Sequence, residues 1–171
     1  MPYPEPLVAP MRAELSRVGV VELKTPEMVD DAFDKAQSGT MLLVVNSVCG
    51  CAAANARPAV TLAMQAPVQP DRYTTVFAGQ DLEATARARD FLAGIPPSSP
   101  FIALIKNGEP AFVLERRNIE GRSASAIAMD LVGAFNTYCG EKSAAAPSVG
   151  TADAEQPERG DDLPGTFRSI L

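Results

Sequence analysis

From its start to about residue 140 the chain alternates between helical and strand patterns of apolar and polar positions. The first pattern predicts a helix over Leu7–Val18, stopped by Gly19. The second opens on Thr25 as N-cap, with Pro26 in the first helical position and Glu27 in the first turn. Val29, Ala32, Phe33 and Ala36 then recur at helical spacing, which gathers them on one face. Met41–Val45 is a continuous apolar run bounded by Gly39 and Asn46, the pattern of a strand covered on both sides. Ala52–Gln65 favours helix, with Pro58 expected to kink it. A second strand is predicted over Tyr73–Ala78, then a helix over Asp81–Leu92 with Asp81 stabilising its start. Phe101–Lys106, Asn107-Gly108 and Ala111–Glu115 read as strand, tight turn and returning strand. Ser123 caps a last helix to about Tyr138, with Ile127, Leu131 and Phe135 along one side.

Strands joined by helices run parallel, whereas a closing hairpin is antiparallel. The order of elements therefore predicts an α/β fold, with a mixed central sheet of about four strands and helices on both faces. The pattern stops near Gly140. Residues 141–171 are rich in Ala, Pro and Gly and hold six acidic against three basic residues, the composition of a flexible tail. The expected division is one domain over 1–140 and an acidic tail over 141–171.

Composition narrows the function. With 46% hydrophobic and 21% charged residues, the 171-residue chain can bury a core. A net charge of −6 without a basic stripe argues against nucleic acid and against acidic membrane surfaces as partners. No apolar run approaches the roughly 18 residues of a membrane span. The proline-rich start has no basic residue and no apolar core of a signal peptide, so the expected location is the cytoplasm. Stable disulfides are rare there, and cysteines point instead to metal, to catalysis or to packing. The chain has no histidine, which excludes mechanisms that need imidazole as a base.

The chemistry that remains centres on Asn46-Ser47-Val48-Cys49-Gly50-Cys51, between a buried strand and a helix. A thiol at a helix N-terminus meets the positive end of the dipole and unpaired N–H groups, which favour thiolate. Thiolate is the nucleophile of disulfide exchange, so Cys49 is the candidate attacking group. Cys51 is near enough to attack a mixed disulfide formed on Cys49. A single residue between the cysteines constrains the ring, and Gly50 relieves part of this through backbone angles that other residues avoid. The pair is expected to be relatively oxidising. Two other readings stand beside this one: buried structural cysteines, and a metal site, for which Cys49, Cys51 and Cys139 make an incomplete set.

Ser99-Pro100, just before the third predicted strand, is a second landmark. It is either an ordinary trans bond at a strand start or a cis proline facing the cysteines, presenting the Ser99 backbone to a substrate. Asn46 can cap the cysteine loop. Arg57 either raises the local positive potential or is a solvated helix residue. Glu115, Arg116 and Arg117 read as a solvated strand end, and Cys139 as an incidental thiol at a helix terminus or a third redox thiol.

Taken together, these motifs resemble a known family. PPSSPFIALIKNGE (Pro96–Glu109) looks like the cis-proline strand and hairpin of thioredoxins. NSVCGCAAANARPA (Asn46–Ala59), TVFAGQD (Thr75–Asp81) and IEGR (Ile119–Arg122) resemble the bacilliredoxins, small bacterial proteins with a CGC site. The resemblance spans roughly residues 5–139. Ala54 stands where relatives are expected to carry glycine, and nothing in the tail beyond Gly140 shares a motif. The resemblance implies a thioredoxin-like fold and removal of bacillithiol, a low-molecular-weight thiol, from S-thiolated proteins. By that resemblance Cys49 takes the bacillithiol as a mixed disulfide, Cys51 resolves it, and Pro100 is the cis proline. Asn46, Gly50, Ser99 and Pro100 are then the candidate substrate-binding residues. No tightly bound cofactor or metal is implied. Bacillithiol is the thiol co-substrate, an NADPH-dependent bacillithiol disulfide reductase the partner, and disulfide isomerase activity an alternative use of the same chemistry.

Overall fold

The computed structural model describes residues 1–140, and the tail expected over 141–171 lies outside the described residues. Helix α1 (Glu5–Ser16) ends ahead of Gly19, whose φ of 97° is a left-handed value suited to glycine. Helix α2 (Pro26–Ala36) starts as its sequence predicts. The Thr25 hydroxyl accepts from the Met28 N–H at 3.3 Å, and Val29, Ala32, Phe33 and Ala36 are its buried residues.

Strand β2 (Thr40–Asn46) is buried at every position, which is why its sequence is an apolar run rather than an alternation. Strand β3 (Arg72–Phe77) lies parallel to it on one side, with Thr74 opposite Leu43. Strand β4 (Phe101–Lys106) lies antiparallel on the other, with Phe101 opposite Val45. Strand β5 (Glu109–Leu114) returns through Asn107 and Gly108, both at positive φ (52° and 83°), the backbone that a tight hairpin demands. A further strand, β1 (Val21–Glu22), pairs in parallel with β3. The sheet is thus five-stranded, in the order β1-β3-β2-β4-β5, against the four or so expected. Two residues are too few to carry a periodicity, so β1 exists only through its pairing.

Alternation along β2 and β4 divides the core. Leu42, Val44, Ile102 and Leu104 pack on one face with α3 (Arg57–Ala63) and α6 (Ala124–Cys139). Met41, Leu43, Val45, Phe101 and Ile105 pack on the other with α2 and α4 (Leu82–Asp90). Each such side chain contributes roughly 1.5–3 kcal/mol on burial. Parallel β1, β3 and β2, antiparallel β4 and β5, and helices on both faces make a thioredoxin-like fold.

Three local expectations are revised. The kink at Pro58 takes the form of a π-helical turn over Ala52–Ala56, after which Pro58 sits in the first turn of α3 and lacks only a donor that is not needed there. The expected solvated strand end is a short helix, α5 (Arg116–Ile119), closed by reciprocal capping between Glu115 and Asn118. Asp81 stands at the N-cap of α4 as expected, but its carboxylate makes no capping bond and instead grips Arg12 of α1 through two 2.8 Å bonds. Arg12 is buried, bonds Glu5 at 3.0 Å and Glu22 at 3.3 Å, and lies over the Phe77 ring. Its bond to Asp81 holds the guanidinium pKa above its ordinary value. One side chain thereby ties α1, β1 and the start of α4 together. Among the described residues no helix is long and apolar enough to cross a membrane.

Candidate active site

The central strand β2 ends at Asn46, and the chain turns helical again at Gly50. Cys49 lies in that turn and Cys51 one residue inside the helix. The two form a disulfide with Cα atoms 5.4 Å apart, and both are partly exposed. The Cys49 carbonyl accepts from Ala52 N–H at 3.1 Å and Ala53 N–H at 3.2 Å, so Cys49 is the N-cap. Its sulfur accepts from the Ala52 N–H at 3.3 Å and from the Ser47 hydroxyl at 3.2 Å. This is the place a serine or aspartate oxygen takes in an ordinary N-cap, and negative charge there is favoured by the amides and by the dipole. A reduced Cys49 therefore has donors already aimed at its sulfur.

Gly50 is exposed, and its φ lies outside the left-handed range, so the turn does not draw on glycine's backbone freedom as expected. A Cβ added at Gly50 would meet nothing within 4 Å, so the space in front of the pair is open. Asn46 lies beneath the turn at 1% exposure; its side-chain Oδ1 accepts from Ser47 N–H at 2.9 Å and from Arg57 at 3.1 Å. Arg57 is buried at 2% exposure and is not solvated. Its guanidinium also donates to the Ser47 carbonyl at 3.1 Å and to Glu14 of α1 at 2.7 and 3.3 Å. Asn55 of the π-helical turn donates to the Arg122 carbonyl, joining the cysteine helix to the loop before α6.

The Ser99–Pro100 bond is cis. Pairing of Phe101 with Val45 brings it to the same end of the sheet as the cysteines. Pro100 is buried and Ser99 partly exposed. The neighbouring Ser98 hydroxyl accepts the Arg116 N–H at 3.2 Å, which seats α5 beside this loop. Cys139 is elsewhere. It is buried at the end of α6 and lines a cavity with Gly39, Thr40 and Asn107, at the opposite end of β2. Strand rise puts about 20 Å between the two ends. The fold thus brings two cysteines together, not three, and among the described residues no group of three or more His, Cys, Asp or Glu is placed to hold a metal ion.

A family model described as Disulphide isomerase matches residues 3–139. A bacilliredoxin of Salinibacter ruber (strain DSM 13855 / M31) is 59% identical over 171 residues and covers 99% of both chains. The chain belongs to the bacilliredoxin family. A second bacilliredoxin of that organism is 51% identical, again over 99% of each chain. One from Geobacillus kaustophilus (strain HTA426) is 48% identical over 135 residues, 79% of this chain and 92% of its own. The acidic tail, which shares no motif with the resemblance above, is included in both Salinibacter ruber alignments. Among solved structures, reduced Schistosoma mansoni thioredoxin pre-protein overlaps with a TM-score of 0.47 at 19% identity, over 68% of this chain and 97% of the other. The family, the fold and the adjacent cysteine pair make this chain a thiol–disulfide oxidoreductase.

The residues that sequence reasoning leaves without a role here are Ser47 and Glu14. A hydroxyl two positions before a cysteine is a faint signal. Glu14 gives none, since its partner lies 43 positions away.

Proposed function

We propose that the protein removes bacillithiol from S-bacillithiolated proteins, with Cys49 as attacking thiol and Cys51 as resolving thiol. The Cys49 thiolate attacks the bacillithiol sulfur of the substrate's mixed disulfide. The protein thiol leaves, and Cys49 carries the bacillithiol. The Cys51 thiolate then attacks the Cys49 sulfur, which expels bacillithiol and closes the Cys49–Cys51 disulfide. Two bacillithiol molecules reduce that disulfide and become bacillithiol disulfide, which an NADPH-dependent reductase returns to thiol. The carrying observation is the Cys49 sulfur in the N-cap position, accepting from Ala52 N–H and the Ser47 hydroxyl, with Cys51 within bonding reach. The open space at Gly50, and the Ser99–Pro100 loop at the same sheet end, support docking of a thiol or an extended peptide there. Such exchange belongs in a cytoplasmic location, where protein thiols are kept reduced.

The test offers a bacillithiolated protein to the Cys51→Ser variant. A stable adduct on Cys49, with release of the substrate thiol, is the expected result, and Cys49→Ser gives none. A folded Cys51→Ser variant that forms no adduct would overturn the reading. The description of the matching family model favours a second reading, isomerisation of protein disulfides. Turnover of a scrambled disulfide protein, without release of bacillithiol from the first substrate, would select it.

A further inference from the structure

The site contains a charged side chain that no step above uses. Arg57 is buried two turns into the cysteine helix, and its Nη1 donates to both Asn46 Oδ1 and the Ser47 carbonyl at 3.1 Å. These contacts fix the backbone of the one residue whose hydroxyl bonds the Cys49 sulfur, at 3.2 Å. Glu14 takes the other side of the guanidinium at 2.7 Å, and its side chain is 47% exposed. Arg89 lines the pocket beside Val45, Ser98 and Phe101 at this end of the sheet, and four further arginines here are held in ion pairs. Arg116 pairs with Glu120 at 3.3 Å, Arg117 with Glu115 at 3.0 Å, Arg122 with Asp130 at 2.7 Å, and Arg12 with Asp81 at 2.8 Å.

Resting on the reading of Cys49 as nucleophile, we propose that Arg57 is a positioning residue that holds Ser47 against Cys49 and makes its thiol more acidic, with Glu14 as the counter-charge that limits the effect. A buried cation favours the thiolate, and a carboxylate on its far side opposes it. As an order of magnitude, a unit charge on the order of 8 Å from a thiol at an effective dielectric of about 20–40 moves it by about one pH unit. Glu14, on the far side of the guanidinium, acts with about half that strength. The two partners of one ion pair therefore pull the thiol in opposite directions, which a purely structural pair does not do.

The experiment measures the pH dependence of Cys49 alkylation, read on the Cys49 peptide by mass, in full-length protein carrying Cys51→Ser. Glu14→Gln is expected to lower the midpoint by about half a unit, and Arg57→Met to raise it by about one. Arg57→Lys, which keeps the charge but loses the fork that holds Ser47, is expected between the parent and Arg57→Met. Midpoints that do not move, or that move in the same direction, overturn the proposal while leaving Cys49 as the nucleophile. A parent midpoint at or above that of an ordinary thiol, about 8.5, removes both. Should Arg57→Met fail to fold by circular dichroism, the Glu14→Gln arm decides alone: a rise or no change refutes the counter-charge role.

Discussion

Replacing Arg12 by Met tests how firmly the first helix is fastened to the sheet. Met keeps an unbranched apolar stem but removes the charge, and with it the guanidinium carbon that lies 5.2 Å from the Phe77 ring centroid. The loss falls chiefly on Asp81, whose side chain is 12% exposed and which gives up two 2.8 Å bonds. A carboxylate left buried without its cation costs about 3–5 kcal/mol. The bond to Glu5, whose side chain is 57% exposed, adds little, since exposed pairs are worth about 0–1 kcal/mol. A loss of about 3 kcal/mol, or roughly 10 °C in Tm for a domain of this size, is expected. Urea unfolding of the full chain, followed by circular dichroism, measures it. Asp81→Asn relieves the stranded charge, so the double variant should recover part of the loss, with a coupling energy of about 2 kcal/mol. A single-variant cost below about 1 kcal/mol, or a coupling within about 0.5 kcal/mol of zero, refutes the account of Arg12 as the fastening of α1. The fastening bears on the site because α1 also carries Glu14.

Two shorter predictions follow from the caps. Ser47→Ala removes one of two donors to the Cys49 sulfur and is expected to raise the alkylation midpoint of the Cys51→Ser protein by about one unit, as a bond to an ionised group is worth about 1.5–3 kcal/mol; an unchanged midpoint contradicts it. Glu27 accepts from its own N–H and from Thr25, which holds its carboxyl below the usual range. Its stabilisation is therefore complete above the unfolded carboxylate pKa and fades as pH falls through the folded value. The stability gap between wild type and Glu27→Gln should be constant near neutrality and vanish in acid; a gap that widens on acidification in urea titrations has the wrong sign.

Where local chemistry decides structure, the sequence was enough. Thr25-Pro26-Glu27 marked a helix start, the Met41–Val45 run marked the central strand, and Asn107-Gly108 marked the hairpin, because each depends on neighbours within a few residues. The cysteine turn was legible for the same reason: a strand running into a helix places Cys49 at an N-terminus wherever the rest of the chain goes. Elements held only by distant partners were not legible. Strand β1 exists through pairing with β3, more than fifty residues on. Asp81 has the sequence of a cap and the structure of an ion pair, since Arg12 competes successfully for its oxygens. Arg57 reads equally as a surface residue until Glu14 and the Ser47 carbonyl are seen around it. Gly50 invited a backbone explanation, whereas its φ is ordinary and a Cβ there would stand in open space.

The strand beneath the cysteines is laddered to a neighbour on each side along almost its whole length. Displacing Val45, one residue before its end, would require two ladders to open together. Any adjustment needed as sulfur trades one partner for another is thus confined to the turn after Asn46 and to the first helical residues. Oxidised and reduced molecules should superimpose everywhere else, and the redox state is then read by partners at one small patch of surface, not through a change of overall shape.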